Sequence, residues 1–323
     1  MAHLTKEQRY VISCLLAKGK RQKEIAEIIG RDKSVISREI KRNKDQRNGL
    51  YNDDLANRKY ANRQKNKPKH KRFTSEIKQH VDALLKEDYS PEQIVGVSKD
   101  QGINCVSHEC IYQYVWLDKK NKGELYTHLR RKGRRYRKRG NKKDSRGIIN
   151  NRVIIDKRPN IVEQRKRFGD LEVDLIIGKN HNQAILTVND RASGMLKMKK
   201  VESKESEVVT NAIIEILNDW IPYIHTITAD NGKEFAGHEM VADNLNIDYY
   251  FAHPYHSWER GSNENLNGLI RQYFPKGSDF TKIGEDDIKR VETKLNNRPR
   301  KRFCFKSPIF VMNNLLFNQK LHL

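Results

Sequence analysis

Long apolar runs are missing from this 323-residue chain. No stretch approaches the roughly eighteen apolar residues of a membrane-spanning helix, and Met1 to Tyr10 carries charge where the apolar segment of a signal peptide would begin. The expectation is a cytoplasmic protein with no membrane partner. Cysteine is scarce: Cys14, Cys105, Cys110 and Cys304 include no CxxC pair. That argues against a disulfide framework, and Cys105, His108 and Cys110 are too few and wrongly spaced for tetrahedral zinc. Acid is short relative to base, 41 Asp+Glu against 64 Lys+Arg, which leaves a net charge of +23. With the membrane set aside, so basic a chain points to nucleic acid as its polyanion. No repeat of solenoid period is present, so the chain is read segment by segment.

The charge is unevenly placed. Residues 1–150 hold 38 Lys+Arg and 18 Asp+Glu, and residues 151–323 hold 26 and 23, so the front half carries +20 and the back half +3. In Arg130 to Lys143, ten of fourteen residues are Lys or Arg. The run has almost nothing to bury and reads as a linker that orders on phosphates, with Arg130, Arg131, Arg134 and Arg135 as DNA contacts; a solvated tail is the other reading. Arg63 to Arg72 has the same character and reads as a separator of two small helical units.

Residues 4–43 carry helical spacing. Tyr10, Val11, Cys14 and Leu15 recur on one face before Gly19; Ile25, Ala26 and Ile29 do so before Gly30; and Asp32 is placed to cap a helix over Lys33 to Arg42 with Ile36 and Ile40 inward. Two short helices joined by a Gly-containing turn spell a helix-turn-helix. Lys33, Ser34, Ser37, Arg38, Lys41 and Arg42 face outward as the donors a major groove requires, or as the polar face of a plain three-helix unit. A second unit follows at Thr74 to Asp118, where Ser90-Pro91-Glu92-Gln93 is a capping box with Pro at the first helical position. It is less basic, and DNA reading and a structural or dimerising role stand level for it.

From Val153 the spacing turns strand-like. GDLEVDLIIG alternates, which puts Asp170, Glu172 and Asp174 on one face and Leu171, Val173 and Leu175 on the other. Two more strands, a helix over Lys204 to Trp220, the strand IHTITAD, a helix over Phe235 to Leu245, the strand DYYFAHP and a helix over Asn263 to Tyr273 give an α/β order and a mixed five-stranded sheet. The expected organisation is multidomain: an all-α helix-turn-helix domain at 1–62, a second helical domain at 73–128, a basic linker at 129–152, and an α/β catalytic domain at 153–323 with a C-terminal helical extension.

Three carboxylates stand out. Asp174 lies within a strand, Asp230 ends one, and Glu264 opens a helix on the face opposite Leu266, Leu269, Ile270 and Tyr273, together with Asn267, Gly268 and Arg271. Oxygen ligands that converge in this way suit hard divalent cations. A pair of such ions a few ångströms apart supports in-line displacement at a phosphodiester. The expected cofactor is a pair of Mg²⁺ ions, with Mn²⁺ able to substitute. His253 and His256 read as packing or loop-shaping residues, because Mg²⁺ prefers oxygen, with contact to DNA or a metal-bound water as the other reading. Trp258 reads as a loop anchor or a base stack, and the basic LNNRPRKR segment as a DNA contact or solvated charge.

The stretches GDLEVDLIIG, ITADNGKEF, AHPYHSWERGSNENLNGLIRQYFPKG and LNNRPRKRFCFKSP, with EIAEIIGRDKSVISREIKRN, closely resemble the bacterial transposases of the insertion sequence 30 family. These are similar to other DDE transposases and retroviral-type integrases with a ribonuclease-H-like catalytic fold. The resemblance covers most of the chain. It implies Asp174, Asp230 and Glu264 as catalytic and metal-binding carboxylates, the last two with 33 residues between them. It implies Arg271 and Asn267 as residues near the DNA end, and Glu172 as a supporting acid. Family members often carry His-Trp where this chain has Asp170-Leu171.

The implied reaction is transposition. Terminal inverted repeats are bound by the N-terminal helices, a phosphodiester is hydrolysed to free a 3′ hydroxyl, and that hydroxyl is joined to target DNA. Double-stranded DNA is the partner, a homodimer or higher oligomer would hold two ends, and the place of work would be the bacterial nucleoid. The alternative is a catalytically inactive DNA-binding regulator that uses the back half to dimerise.

Overall fold

The computed structural model describes residues 3–66, 73–132, 149–179, 183–254, 256, 259 and 261–321. The chain divides into two compact units, Met1–Arg72 and Phe73–Leu323.

The first unit holds α1 (Lys6–Ala17), α2 (Gln22–Ile29), α3 (Lys33–Asn43) and α4 (Asp53–Lys65). Its helix ends are set locally. Thr5 and Gln8 cap α1 reciprocally, and Asp32 accepts from the Ser34 amide at 2.7 Å. Gly30 leaves α2 at φ 65°, a left-handed conformation that a Cβ disfavours. Leu4, Ile12, Ile25, Ala26 and Ile36 form the core. Helix α4 moves the expected boundary: it runs past residue 62 to Lys65, because Asn52 caps it and Arg63 donates to Asn43 at 2.6 Å. Arg9, 2% exposed, donates to Glu39 at 2.7 Å and Asn57 at 3.2 Å, which ties α1 to α3 and α4.

In the second unit, α5 (Ser75–Lys86), α6 (Pro91–Asp100) and α7 (His108–Lys120) pack Val81, Leu85, Ile94, Ile111 and Val115 together. Ser90 and Gln93 cap α6 as their spacing predicts, and Ser107 caps α7. There follow α8 (Ile161–Gln164), β1 (Asp170–Ile177), β2 (Ala184–Asp190), β3 (Leu196–Val201), α9 (Ser206–Leu217), β4 (Thr226–Ala229), α10 (His238–Leu245), β5 (Asp248–Phe251), α11 (Gly261–Tyr273), α12 (Glu285–Asn297) and α13 (Pro308–Leu321).

The sheet has the order β3-β2-β1-β4-β5, antiparallel from β3 to β1 and parallel from β1 to β5. That mixed five-stranded order is the ribonuclease-H-like one. Alternation gives the sheet two apolar faces. Leu171, Val173, Leu186, Val188, Ile227 and Phe251 pack against α9 and α10, while Ile176, Ile185, Leu196 and Met198 pack under α11 and α12.

The expected separation of 73–128 from the catalytic domain, and a linker starting at 129, give way to a single body. Asp88 accepts from Tyr273 at 3.0 Å and Lys294 at 2.9 Å; Gln272 donates to the His128 carbonyl at 2.9 Å; Gln93 donates to the Pro299 carbonyl at 2.6 Å. Leu129 is buried in the helical core and Ile149 in the sheet core. The partners lie more than a hundred residues apart, so no local spacing announces them. Arg134 and Arg135 fall outside the described residues.

Beside β1 the buried charges are paired. Glu172 meets Arg191, which also meets Glu163 at 3.0 Å, and Asp170 takes two Arg167 nitrogens at 2.9 Å each and the Thr226 hydroxyl at 3.0 Å. Asp190 accepts from the Gly169 amide and from the Ser193 amide and hydroxyl, at 2.8, 2.6 and 2.6 Å. Burial outweighs these bonds and pushes its pKa up to about 6.

Two predictions follow from these buried acids. Glu172→Gln leaves Arg191 short of a counter-charge and lowers unfolding free energy by about 3 kcal/mol, read by urea denaturation; unchanged stability with lost activity would instead place Glu172 in the chemistry. Asp190 has a folded pKa above its unfolded value, so its stabilisation is complete below about pH 4 and is lost as pH rises through 6. Relative to Asp190→Asn, the wild-type protein therefore loses about 3 kcal/mol between pH 4 and 7, and a pH-independent difference between the two would refute the assignment.

Candidate active site

The parallel β1–β4 ladder pairs Asp170 with Thr226, Leu171 with Ile227 and Glu172 with Thr228. The ladder ends there and β4 ends at Ala229; the same offset carried two residues further would set Asp230 level with Asp174. Neighbouring strands lie about 4.8 Å apart and the parity is the same, so both carboxylates leave the sheet side by side on the face that α11 covers. That face cannot close over with apolar packing at this end. It carries Asp170, Glu172 and Asp174 where the opposite face carries Leu171, Val173 and Leu175.

Each acid is held in place. The Asn267 amide of α11 donates to Asp174 Oδ2 at 2.7 Å, and the Gly232 amide donates to Asp230 Oδ1 at 3.0 Å. Asn231 is 5% exposed; it donates to the Ala252 carbonyl and accepts from Arg152, which fixes the turn that carries Asp230. Glu264, three residues before Asn267, is exposed in the first turn of α11. Residues three apart on a helix are neighbours, so the Asn267–Asp174 bond turns the Glu264 side of α11 toward β1. Leu266, Leu269 and Ile270 pack under the helix as their spacing predicts.

Convergence is thus partial. Asn267 brings α11, which carries Glu264, to Asp174, but among the described residues Asp174, Asp230 and Glu264 do not form a cluster of ligand atoms within 4.8 Å of one another. The group with that spacing is His253, His256 and Glu259. His253 lies between two acids, 2.8 Å from Glu259 and 3.1 Å from Asp156, and these partners raise its pKa. The histidine therefore pins the β5–α11 connection to the segment before β1, in keeping with a loop-shaping role. The donor set of Asp174, Asp230 and Glu264 is all oxygen, which fits a hard divalent cation. Trp258 lies outside the described residues.

Sequence spacing missed Glu234. It is half-buried beside an open groove of about 810 Å³ that Asp230 also lines. Burial raises its pKa, helped by the negative charges of Asp230 and Asp174. The only signal was its place four residues after Asp230 in ITADNGKEF.

Glu172, expected as a supporting acid, is paired with Arg191. Arg271 turns back to the carbonyls of Ile177, Phe274 and Pro275, and Arg130 to acceptors on α11. In the first unit, Lys33, Ser34, Ser37, Arg38, Lys41 and Arg42 are all exposed on α3, and Arg38 is steadied by the Ser34 hydroxyl at 2.8 Å.

Known proteins are similar to this chain. A helix-turn-helix domain family matches residues 2–43. The transposase for insertion sequence element IS4351 of Bacteroides fragilis is 54% identical over 306 residues, 95% of this chain and 94% of that protein. Transposase InsI for insertion sequence element IS30A of Escherichia coli strain K12 is 33% identical over 322 residues, 95% of this chain and 82% of that one. Among solved structures, a chain of the simian T-cell lymphotropic virus intasome in complex with PP2A regulatory subunit B56 gamma aligns with 45% of this chain and 54% of that one, at 18% identity and a TM-score of 0.39. That match is too loose to bear on the fold, which rests on the strand order. By its full-length identity to these transposases, the chain belongs to the insertion sequence 30 family of transposases.

Proposed function

We propose that this transposase cuts and joins DNA where Asp174 of the central strand β1, Asp230 at the end of β4 and Glu264 of α11 meet, after the first unit has bound the terminal inverted repeats of its element. The β1–β4 register, whose offset carried two residues past its last pair sets Asp174 against Asp230, and the Asn267 bond that joins α11 to Asp174 support the reading. Two Mg²⁺ ions would be held by Asp174, Asp230 and Glu264, with Mn²⁺ as a substitute, and ions bound there supply Lewis-acid polarisation and charge neutralisation at the phosphodiester.

The chain's own residues prepare that site. Asn267 holds Asp174 Oδ2 and the Leu175 amide holds its Oδ1, while the Gly232 amide holds Asp230 Oδ1. Burial, with the charges of Asp230 and Asp174 beside it, raises the pKa of Glu234 above that of an ordinary glutamate. On α3 the exposed Lys, Ser and Arg side chains present the donors that read a major groove. Two phosphodiester steps suit this arrangement. Water displaces a 3′ oxygen to leave a free hydroxyl, and that hydroxyl then attacks a target phosphodiester as the target's own 3′ oxygen departs. Holding two element ends at once calls for at least two copies of the protein.

Full-length protein incubated with labelled element ends, target plasmid and Mg²⁺ should yield cleaved 3′ ends and joined product. Asp174→Asn, Asp230→Asn and Glu264→Gln should each lower both products by at least about 10³-fold, with end binding and melting temperature unchanged. Wild-type product levels from Asp174→Asn would overturn the site. No product from wild-type protein that binds its ends would leave the regulator reading instead.

A further inference from the structure

Beyond α12 the chain turns back over α11 through Arg298-Pro299-Arg300-Lys301-Arg302. Arg298, Arg300 and Arg302 meet Arg130 around a pocket of about 320 Å³ that Ser90 of α6 and Ser262 of α11 also line. Four guanidinium groups are thus gathered at one place.

The acceptors that hold them are neutral. Arg298, only 3% exposed, donates to the side-chain oxygens of Gln93 and Gln272, each at 3.1 Å. Arg300 donates to the Leu295 carbonyl at 2.9 Å. Arg130 donates to the Asn265 side chain at 2.9 Å and to the carbonyls of Asn265 and Gly268 at 3.1 and 3.3 Å. A Cβ on Gly268 would overlap that guanidinium, so the glycine keeps the place open. Arg302 lies 4.4 Å from the centre of the Phe303 ring.

Nearby acids are committed elsewhere. Asp88 gives its oxygens to His128, Tyr273 and Lys294; Asp190 gives its own to Gly169 and Ser193; Glu172 is taken by Arg191. Among the described residues no carboxylate forms an ion pair with any of the four arginines. Burial and the repulsion of Arg298, Arg302 and Arg130 push the Arg300 pKa down to about 9.

Charge of one sign that is collected and left without a counter-charge marks a place for an external anion. Each guanidinium has five N–H donors in a planar fork, and Arg300 spends few of them on protein. The non-bridging oxygens of a phosphodiester match that fork. We propose that this pocket binds a backbone phosphate of the DNA strand that passes α11, distinct from the phosphate that reacts at Asp174 and Asp230. The inference rests on the DNA-processing reading above. Helical rotation of about 100° per residue puts Asn265 about 100° and Leu269 about 140° round α11 from Glu264, so the pocket opens on another flank of the same helix. A phosphate seated there would fix the strand's register against α11, and α6 would share in holding it.

The test uses full-length protein and a short fluorescein-labelled DNA duplex of arbitrary sequence, with affinity measured over a series of salt concentrations. The double variant Arg300→Gln/Arg302→Gln should flatten the slope of log affinity against log salt by about 1, the loss of one neutralised phosphate. Arg300→Lys/Arg302→Lys should keep most of it. An unchanged slope in a variant that melts like wild type overturns the pocket. Should the double variant melt early, the exposed Arg302→Gln alone decides by the same criterion. Inorganic phosphate that stabilises wild type but not the variant, with equal DNA slopes, would make this a free-phosphate site and overturn the proposal. Wild-type protein that binds DNA yet gives neither cleaved nor joined product would refute the transposition chemistry and leave the slope result standing.

Discussion

Three consecutive pairs of the β1–β4 ladder hold two parallel strands at one constant offset, and that offset, carried two residues past the last pair, sets Asp174 against Asp230. A slip of one residue would turn the whole polar row of β1 into the face that Leu171 and Val173 occupy. The register is therefore tied to burial. Ile227 and Ala229 of β4 must enter the same core as Leu171 and Val173, and Thr226 and Thr228 must then meet the acidic side. The Thr226–Asp170 bond at 3.0 Å and the Arg158–Thr228 bond at 2.8 Å lock that choice from the polar side.

Helix α11 is where the other constraints meet. Its apolar stripe is fixed to the sheet by Leu266, Leu269 and Ile270, and its polar face reaches Asp174 through Asn267. Arg271 holds the end of β1, Arg130 holds the carbonyls along its flank, and Gln272 and Tyr273 hold the α5–α7 unit. The position of Glu264 thus depends on contacts from both the sheet and the helices that precede it. A helix packed only by its apolar stripe would still be able to slide and rotate by small amounts, and polar bonds at defined atoms remove that freedom.

Charge is handled in two ways in the second unit. Within the sheet, Glu172, Asp170 and Arg191 are desolvated and find opposite partners, as buried ions must. Around Arg130, Arg298, Arg300 and Arg302 the opposite partner is missing among the described residues while neutral acceptors hold the geometry. The first arrangement balances its charge, and the second collects positive charge without balancing it.

Local rules made much of this legible from residue order. Capping by Thr5, Asp32, Ser90 and Ser107, the turn at Gly30, and the alternation of β1 all depend on neighbours within four positions. The outward face of α3 and the inward stripe of α11 follow from helical period, and the carboxylates stood out by their places at strand ends and a helix start. Burial and long-range pairing decided the rest. Glu172 looked like a site acid until Arg191, nineteen residues on, was found against it. Arg130 looked like part of a free basic run until α11, some 135 residues on, took its nitrogens. Sequence alone determined the elements, because their energetics are local. Tertiary structure alone decided which charges are neutralised and which remain for DNA, because that depends on what the fold brings within a few ångströms.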